Sequence, residues 1–225
     1  MALIAEDLLL LLLDDESGKV PMGQSEKAAP ALGGAVLAEL ALLGAVTFDE
    51  RESRWRAPKV RVTGPTPEDR VLADALLVVG EKERAAQDLV GRLGKNLVST
   101  LGDRLADRGV LERTEDRVLG ILPRTRWPAA DKTHEHEVRQ TLDSVLVQGT
   151  TPDDRTGALV AVLAAIDRAH KVVPGMSSRE VKKRAAEITD AGWASQAVRQ
   201  AIQETHSAVK AVATAKASGY AGGSG

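Results

Sequence analysis

The 225-residue chain is 43% hydrophobic, carries a formal net charge of -2 and contains no cysteine. Disulfides, thiolate metal sites and cysteine nucleophiles are excluded, and without a global basic field any binding to nucleic acid or anionic lipid must come from a local patch. Three Trp, one Tyr and one Phe leave the core to Leu, Val and Ala, which favours a mainly α fold of helices packed on helices, with a cytoplasmic setting as the default.

The chain opens MALIAEDLLLLLLDDESG. Six leucines, Leu8 to Leu13, are too few to span a bilayer, which needs about 20 apolar residues. The acidic flanks Glu6, Asp7, Asp14, Asp15 and Glu16 are the reverse of a secretory signal. A short helix that is apolar on nearly every side fits a place surrounded by other helices. Residues 18–30, GKVPMGQSEKAAP, read as a loop or short hairpin. In ALGGAVLAELALLGAVTFDE, Leu32, Val36, Leu37, Leu40 and Leu43 fall at helical spacing, and Gly44 ends the helix before a short strand, AVTF. The Gly33-Gly34 pair lowers helix propensity but lets another backbone approach closely. The alternation in KVRVTG predicts a strand that returns to pair with AVTF.

Thr66-Pro67-Glu68-Asp69 and Thr151-Pro152-Asp153-Asp154 are helix starts, with Thr as N-cap, Pro at the first position and acids in the first turn. Between them, Leu97, Leu101 and Leu105 share one helix face, which Gly109 closes. VLER-TED-RVLGIL then predicts two strands around an acidic turn. Two amphipathic helices follow from Ser177 to about Lys216. The reading is one helical domain over 1–216, built around a buried apolar helix with short β-hairpins, and a flexible tail over 217–225.

Candidate sites are few. His134 and His136, two apart on a helix, point to different sides and do not make a metal pair. No phosphate loop or nucleophile elbow occurs, and the acidic clusters Asp14 to Glu16 and Asp153-Asp154 are explained as caps and turns, so neither an enzyme nor a cofactor or metal is expected. The hairpin RVLGILPRTRWP combines Val118, Leu119, Ile121, Leu122 and Trp127 with Arg117, Arg124 and Arg126, a composition suited to a bilayer interface.

The order of LIAEDLLLLLLDDESG, LGGAVLAELALLGAV, KNLVSTLGDRLADRGVL with its hairpin, and DDRTGALVAVLAAIDRAHKVV resembles the Golgi phosphoprotein 3 family, from about Leu3 to about Val173 and more loosely to about Lys216. The resemblance implies a peripheral membrane protein that recognises phosphatidylinositol 4-phosphate by a basic pocket beside an inserting hydrophobic hairpin. That hairpin maps onto about Arg117 to Pro128. Of four pocket positions, Lys95 stays cationic, whereas Val98, Leu32 and a position near Gly23 replace two basic residues and a tryptophan. Nineteen Arg to eleven Lys and abundant Ala fit a bacterial homologue. The expected ligand is therefore a phosphoinositide or another anionic phospholipid at a membrane surface. Arg92, Lys95, Arg124 and Arg126 form its basic patch, and Val118, Leu119, Ile121, Leu122 and Trp127 form the inserting hairpin. No nucleic acid is expected, and a homo-oligomer stays open. The alternatives are a winged-helix-like nucleic-acid module, suggested by two helix-then-hairpin units and disfavoured by net acidity, and a protein-interaction scaffold without lipid binding.

Overall fold

A computed structural model describes residues 2–49, 58–118 and 122–221. Helix α1 (Ile4–Leu12) carries the leucine run, and Leu8 to Leu13 are all buried. Helices α2 (Ser25–Leu42), α5 (Leu97–Asp107), α6 (Thr133–Leu146) and α7 (Asp154–Ala165) pack around it, so leucine on every side has a helical partner. The run is an interior wall, and among the described residues no helix is long and apolar enough to cross a membrane.

Helix α2 is the spine, in contact with α1, α4 (Ala86–Leu93), α7 and α10 (Gln196–Ala221). It begins inside the stretch expected to be loop, and Pro30 sits within it. Pro30 is the sixth residue of the helix, so it lacks the i→i−4 bond that an N–H there would make to the Glu26 carbonyl. At Gly33 a Cβ would collide with the Val90 carbonyl of α4 (Ala86–Leu93), and at Gly94 it would collide with the Ala29 carbonyl of α2. The expected close approach therefore exists, and it joins α2 to α4. A Cβ at Gly34 would meet the Val209 side chain of α10 (Gln196–Ala221).

After Gly44, β1 (Val46–Phe48) and β2 (Lys59–Val62) pair antiparallel as expected, with Val46 opposite Val62 and Phe48 opposite Val60. A third short strand, β3 (Arg84–Ala85), joins β2 from its other side. Helix α3 (Arg70–Gly80) lies between them in sequence, and its Leu72, Ala75, Leu76 and Val79 face the core. Its N-cap is Asp69, whose carboxylate accepts from the Val71 and Leu72 amides. In α7 (Asp154–Ala165) the N-cap is likewise Asp153. In both Thr-Pro starts an acid caps in place of the expected threonine: extended backbone at Asp69 and Asp153 begins each helix two or three residues later than expected.

Helix α5 (Leu97–Asp107) buries Leu97, Leu101 and Leu105, and Gly109 follows its end at positive φ. The second hairpin differs from expectation: β4 (Thr114–Val118) contains the Thr-Glu-Asp that was expected to be the turn, and it pairs with β5 (Leu122–Arg126). Asp116 stands opposite Arg124 in that register, so the acid serves a cross-strand ion pair. Helices α6 (Thr133–Leu146), α8 (Ala169–Val172) and α9 (Ser178–Thr189) complete the body. Helix α10 runs to Ala221, past the boundary expected at Lys216, packing on α2, α4, α7 and α9.

Candidate functional site

The hairpin is fixed to the body at its base. Trp127, the residue after β5, is only 7% exposed, and its indole lies on Gly102 of α5, where the absent side chain makes room for the ring. The Trp127 amide donates to the Gly18 carbonyl at 3.0 Å, and Gly18 holds a positive φ of 61° at a point where a Cβ would strike the Trp127–Pro128 backbone. Trp127 was expected to insert in a bilayer; it is instead a buried anchor, because Gly102 offers a flat seat and Asp103 an acceptor for its N–H. Leu119 and Ile121 lie outside the described residues, as do the side chains of Val118 and Leu122, whose backbones pair across the hairpin.

Arg124 and Arg126, the two hairpin arginines of the expected patch, share the single carboxylate of Asp116. Arg124 Nη2 lies 2.5 Å and Arg126 Nε 3.1 Å from Asp116 Oδ2. The Arg124 guanidinium holds the Asp116 carboxyl below its ordinary value. Neither cation is therefore presented alone to an anionic surface.

Arg92 and Lys95 differ. Both are exposed at the α4–α5 junction, and among the described residues no carboxylate forms an ion pair with either. The Lys95 amide donates to the Arg92 carbonyl at 3.2 Å, and Asn96 takes a left-handed φ of 64° to start α5, a conformation asparagine tolerates well. The Gly94–Ala29 contact sets this junction one helical turn from the start of α2. The loop entering α2 carries Met22, whose side chain is 99% exposed, and next to it Gly23. Lys95 is seven positions before Gly102, so the Trp127 seat lies roughly 10 Å further along α5. Of the pocket positions carried over by resemblance, Gly23 and Lys95 are exposed at this corner and Val98 is half-buried, whereas Leu32 is buried in α2 and cannot meet a ligand. Exposure of Met22 had no signal in a single sequence.

A second polar cluster surrounds the start of α1. Glu6 is fully buried and meets Arg104 at 2.9 Å, Arg108 at 3.0 Å and the Leu3 amide at 2.8 Å. Glu39 of α2 accepts from the Ile4 amide at 2.7 Å and pairs with Arg155 of α7, which also donates to the Ala2 carbonyl. Asp7 meets His134 Nε2 at 2.7 Å. Burial raises the Asp7 carboxyl above its ordinary value, against the pull of His134 and Arg155. Sequence reading took Glu6 and Asp7 as flanks of the leucine run and missed this network; the only local trace was Arg104 and Arg108, one turn apart on a helix. Its groups satisfy one another and tie α1 to α2, α5, α6 and α7, so they serve the fold. His134 is thereby accounted for, and His136 is exposed.

A family model described as Golgi phosphoprotein 3 (GPP34) matches residues 4–205 of the chain. A comparison with curated proteins gives no match.

Proposed function

The chain belongs to the Golgi phosphoprotein 3 (GPP34) family, and from that premise we propose that it is a lipid-binding protein rather than an enzyme, associating peripherally with an anionic membrane surface. The carrying observation is the α4–α5 junction, one helical turn from the start of α2, where Arg92 and Lys95 are exposed and unpaired; the loop before α2 carries the fully exposed Met22. Lysine and arginine attract a phosphorylated head group, and a methionine side chain gains by leaving water for the acyl boundary. The reading moves the head-group contact away from Arg124 and Arg126, which Asp116 already holds. The head group itself is a phosphoinositide or another anionic phospholipid.

Flotation with neutral, phosphatidylserine and phosphatidylinositol 4-phosphate vesicles tests this. Recovery with either anionic vesicle is expected to exceed recovery with neutral ones and to fall as salt rises. Each basic residue near an anionic surface contributes about 1 kcal/mol, so Arg92→Ala with Lys95→Ala should weaken association roughly thirtyfold. Equal recovery with all vesicles, unchanged in that double variant and in Met22→Asp, would remove the lipid reading and favour a protein-interaction role.

A further inference from the structure

An apolar side chain stands at the tip of the turn that leads into α2. The Gln24 amide donates to the Pro21 carbonyl at 3.0 Å, which closes a turn over Pro21-Met22-Gly23-Gln24. Gly23 holds a φ of 82°, the left-handed conformation that the third position of a type II turn requires, and a Cβ there would meet nothing within 4 Å. Met22 is the second position, at the outer corner, and its side chain is 99% exposed.

Both ends of the turn are tied to the body. On one side Val20 packs against the core, the Lys19 carbonyl accepts from the Asp14 amide at 2.9 Å, and the Gly18 carbonyl accepts from the Trp127 amide. On the other side the Gln24 carbonyl accepts from the Lys27 and Ala28 amides in the first turn of α2. The tethered backbone thus holds Met22 out in water at a set place, where its burial contributes nothing to the core.

The sulfur chemistry of the chain is confined to thioethers, since it has three methionines and no cysteine. Met176 is half-buried and packs against the core, so Met22 is the more accessible of the two methionines whose surroundings the structure describes. With hydrogen peroxide, a sulfur lone pair takes one oxygen atom, the O–O bond breaks, the S–O bond forms and water leaves. The sulfur is oxidised by two electrons and the peroxide is reduced by two. A side chain lying almost wholly in water accommodates the extra oxygen without disturbing the fold. The product is polar, however, and loses what the thioether gains by passing from water to an acyl boundary.

We propose, resting on the membrane reading above, that Met22 is an oxidation site whose sulfoxide releases the chain from the membrane, with a peroxide as the oxidant and a thiol-dependent sulfoxide reductase as the reverse step. Charge at Arg92 and Lys95 is untouched by that change, so the switch acts on the apolar half of the contact alone.

Peptide mass mapping and flotation on phosphatidylserine vesicles, before and after dilute hydrogen peroxide, test this. Met22 should gain an oxygen atom before Met176 does, and association should weaken about tenfold as it does so, with the melting temperature unchanged. Vesicle-bound protein should oxidise at Met22 more slowly than free protein. Met176→Leu should lose recovery on treatment, whereas Met22→Leu should keep after treatment the recovery it had before. Faster oxidation at Met176, full recovery of protein that carries the Met22 sulfoxide, a loss that Met22→Leu shares, or a fall in melting temperature that accounts for the loss would each overturn the proposal while leaving the membrane reading in place. Untreated protein that floats on no vesicle overturns both.

Discussion

The Trp127 indole Nε1 donates to Asp103 Oδ1 at 3.0 Å while the same ring covers Gly102, so one side chain rivets the end of β5 to the middle of α5. Trp127→Ala should cost about 3–5 kcal/mol, because it opens a ring-sized cavity and strips a hydrogen bond, and urea melts would measure it. Trp127→Phe retains most of the packing and should cost much less. Neither change should alter vesicle recovery of the folded fraction. A phenylalanine variant of native stability that no longer floats would return Trp127 to the membrane.

Two glycines of the α2–α4 contact region give opposite expectations. Gly33→Ala drives a Cβ into the Val90 carbonyl, backbone that cannot swing aside, and should separate the helices at a cost of more than about 3 kcal/mol. Gly91, one residue from Val90, has nothing within 4 Å of a Cβ and lies inside α4, so Gly91→Ala should stabilise by about 0.5–1 kcal/mol. Thermal melts of the two variants should shift in opposite directions.

What could be read from the sequence was whatever depends on periodicity. The leucines of α1, the Leu97–Leu101–Leu105 face and the β1–β2 pairing follow from which neighbours share a side, and chain order alone carries that. Even the Gly33-Gly34 contact was legible, because two glycines within a helix require a compensating approach. The failures at Glu6 and Trp127 involve a partner distant in sequence. Glu6 meets Arg108 across 102 positions, and Trp127 meets Gly18 through the backbone across 109. A tryptophan flanked by arginines is equally suited to a bilayer and to a seat on a glycine, and only the seat decides. The Thr-Glu-Asp stretch had turn composition, but Arg124 and Arg126 made it a strand by pairing with Asp116.

The helix starts offer a direct comparison. Asp69 caps α3 and also meets Arg104 at 2.6 Å, and those contacts prevail over its burial to hold the carboxyl below the ordinary value. Asp69→Ala should therefore cost about 1–2 kcal/mol by loss of the cap, more with the ion pair. Thr66, which the Thr-Pro pattern nominates, is exposed ahead of the helix, and Thr66→Ala should stay within about 0.5 kcal/mol of wild type. Denaturant midpoints would distinguish the two, and equal losses would restore threonine as the cap.

Acid sensitivity between roughly pH 7 and 5 should trace to His170 of α8 and His206 of α10. The folded-state values of His170 and His206 are both depressed below 6.5, by burial first and by neighbouring cations second. In the window between the folded and unfolded values the unfolded chain binds more protons, so the slope of unfolding free energy with pH is positive. Stability is thus full above the unfolded value and declines as pH drops through 6.5 toward the depressed folded values. The lowered carboxyls Asp69 and Asp116 act below this window, whereas the raised Asp7 carboxyl has the opposite sign, favouring the folded chain as pH falls. Urea melts across that range should show the decline in wild type and a flatter profile in His170→Gln with His206→Gln. A double variant that keeps the full wild-type slope would locate the acid-sensitive groups elsewhere in the fold.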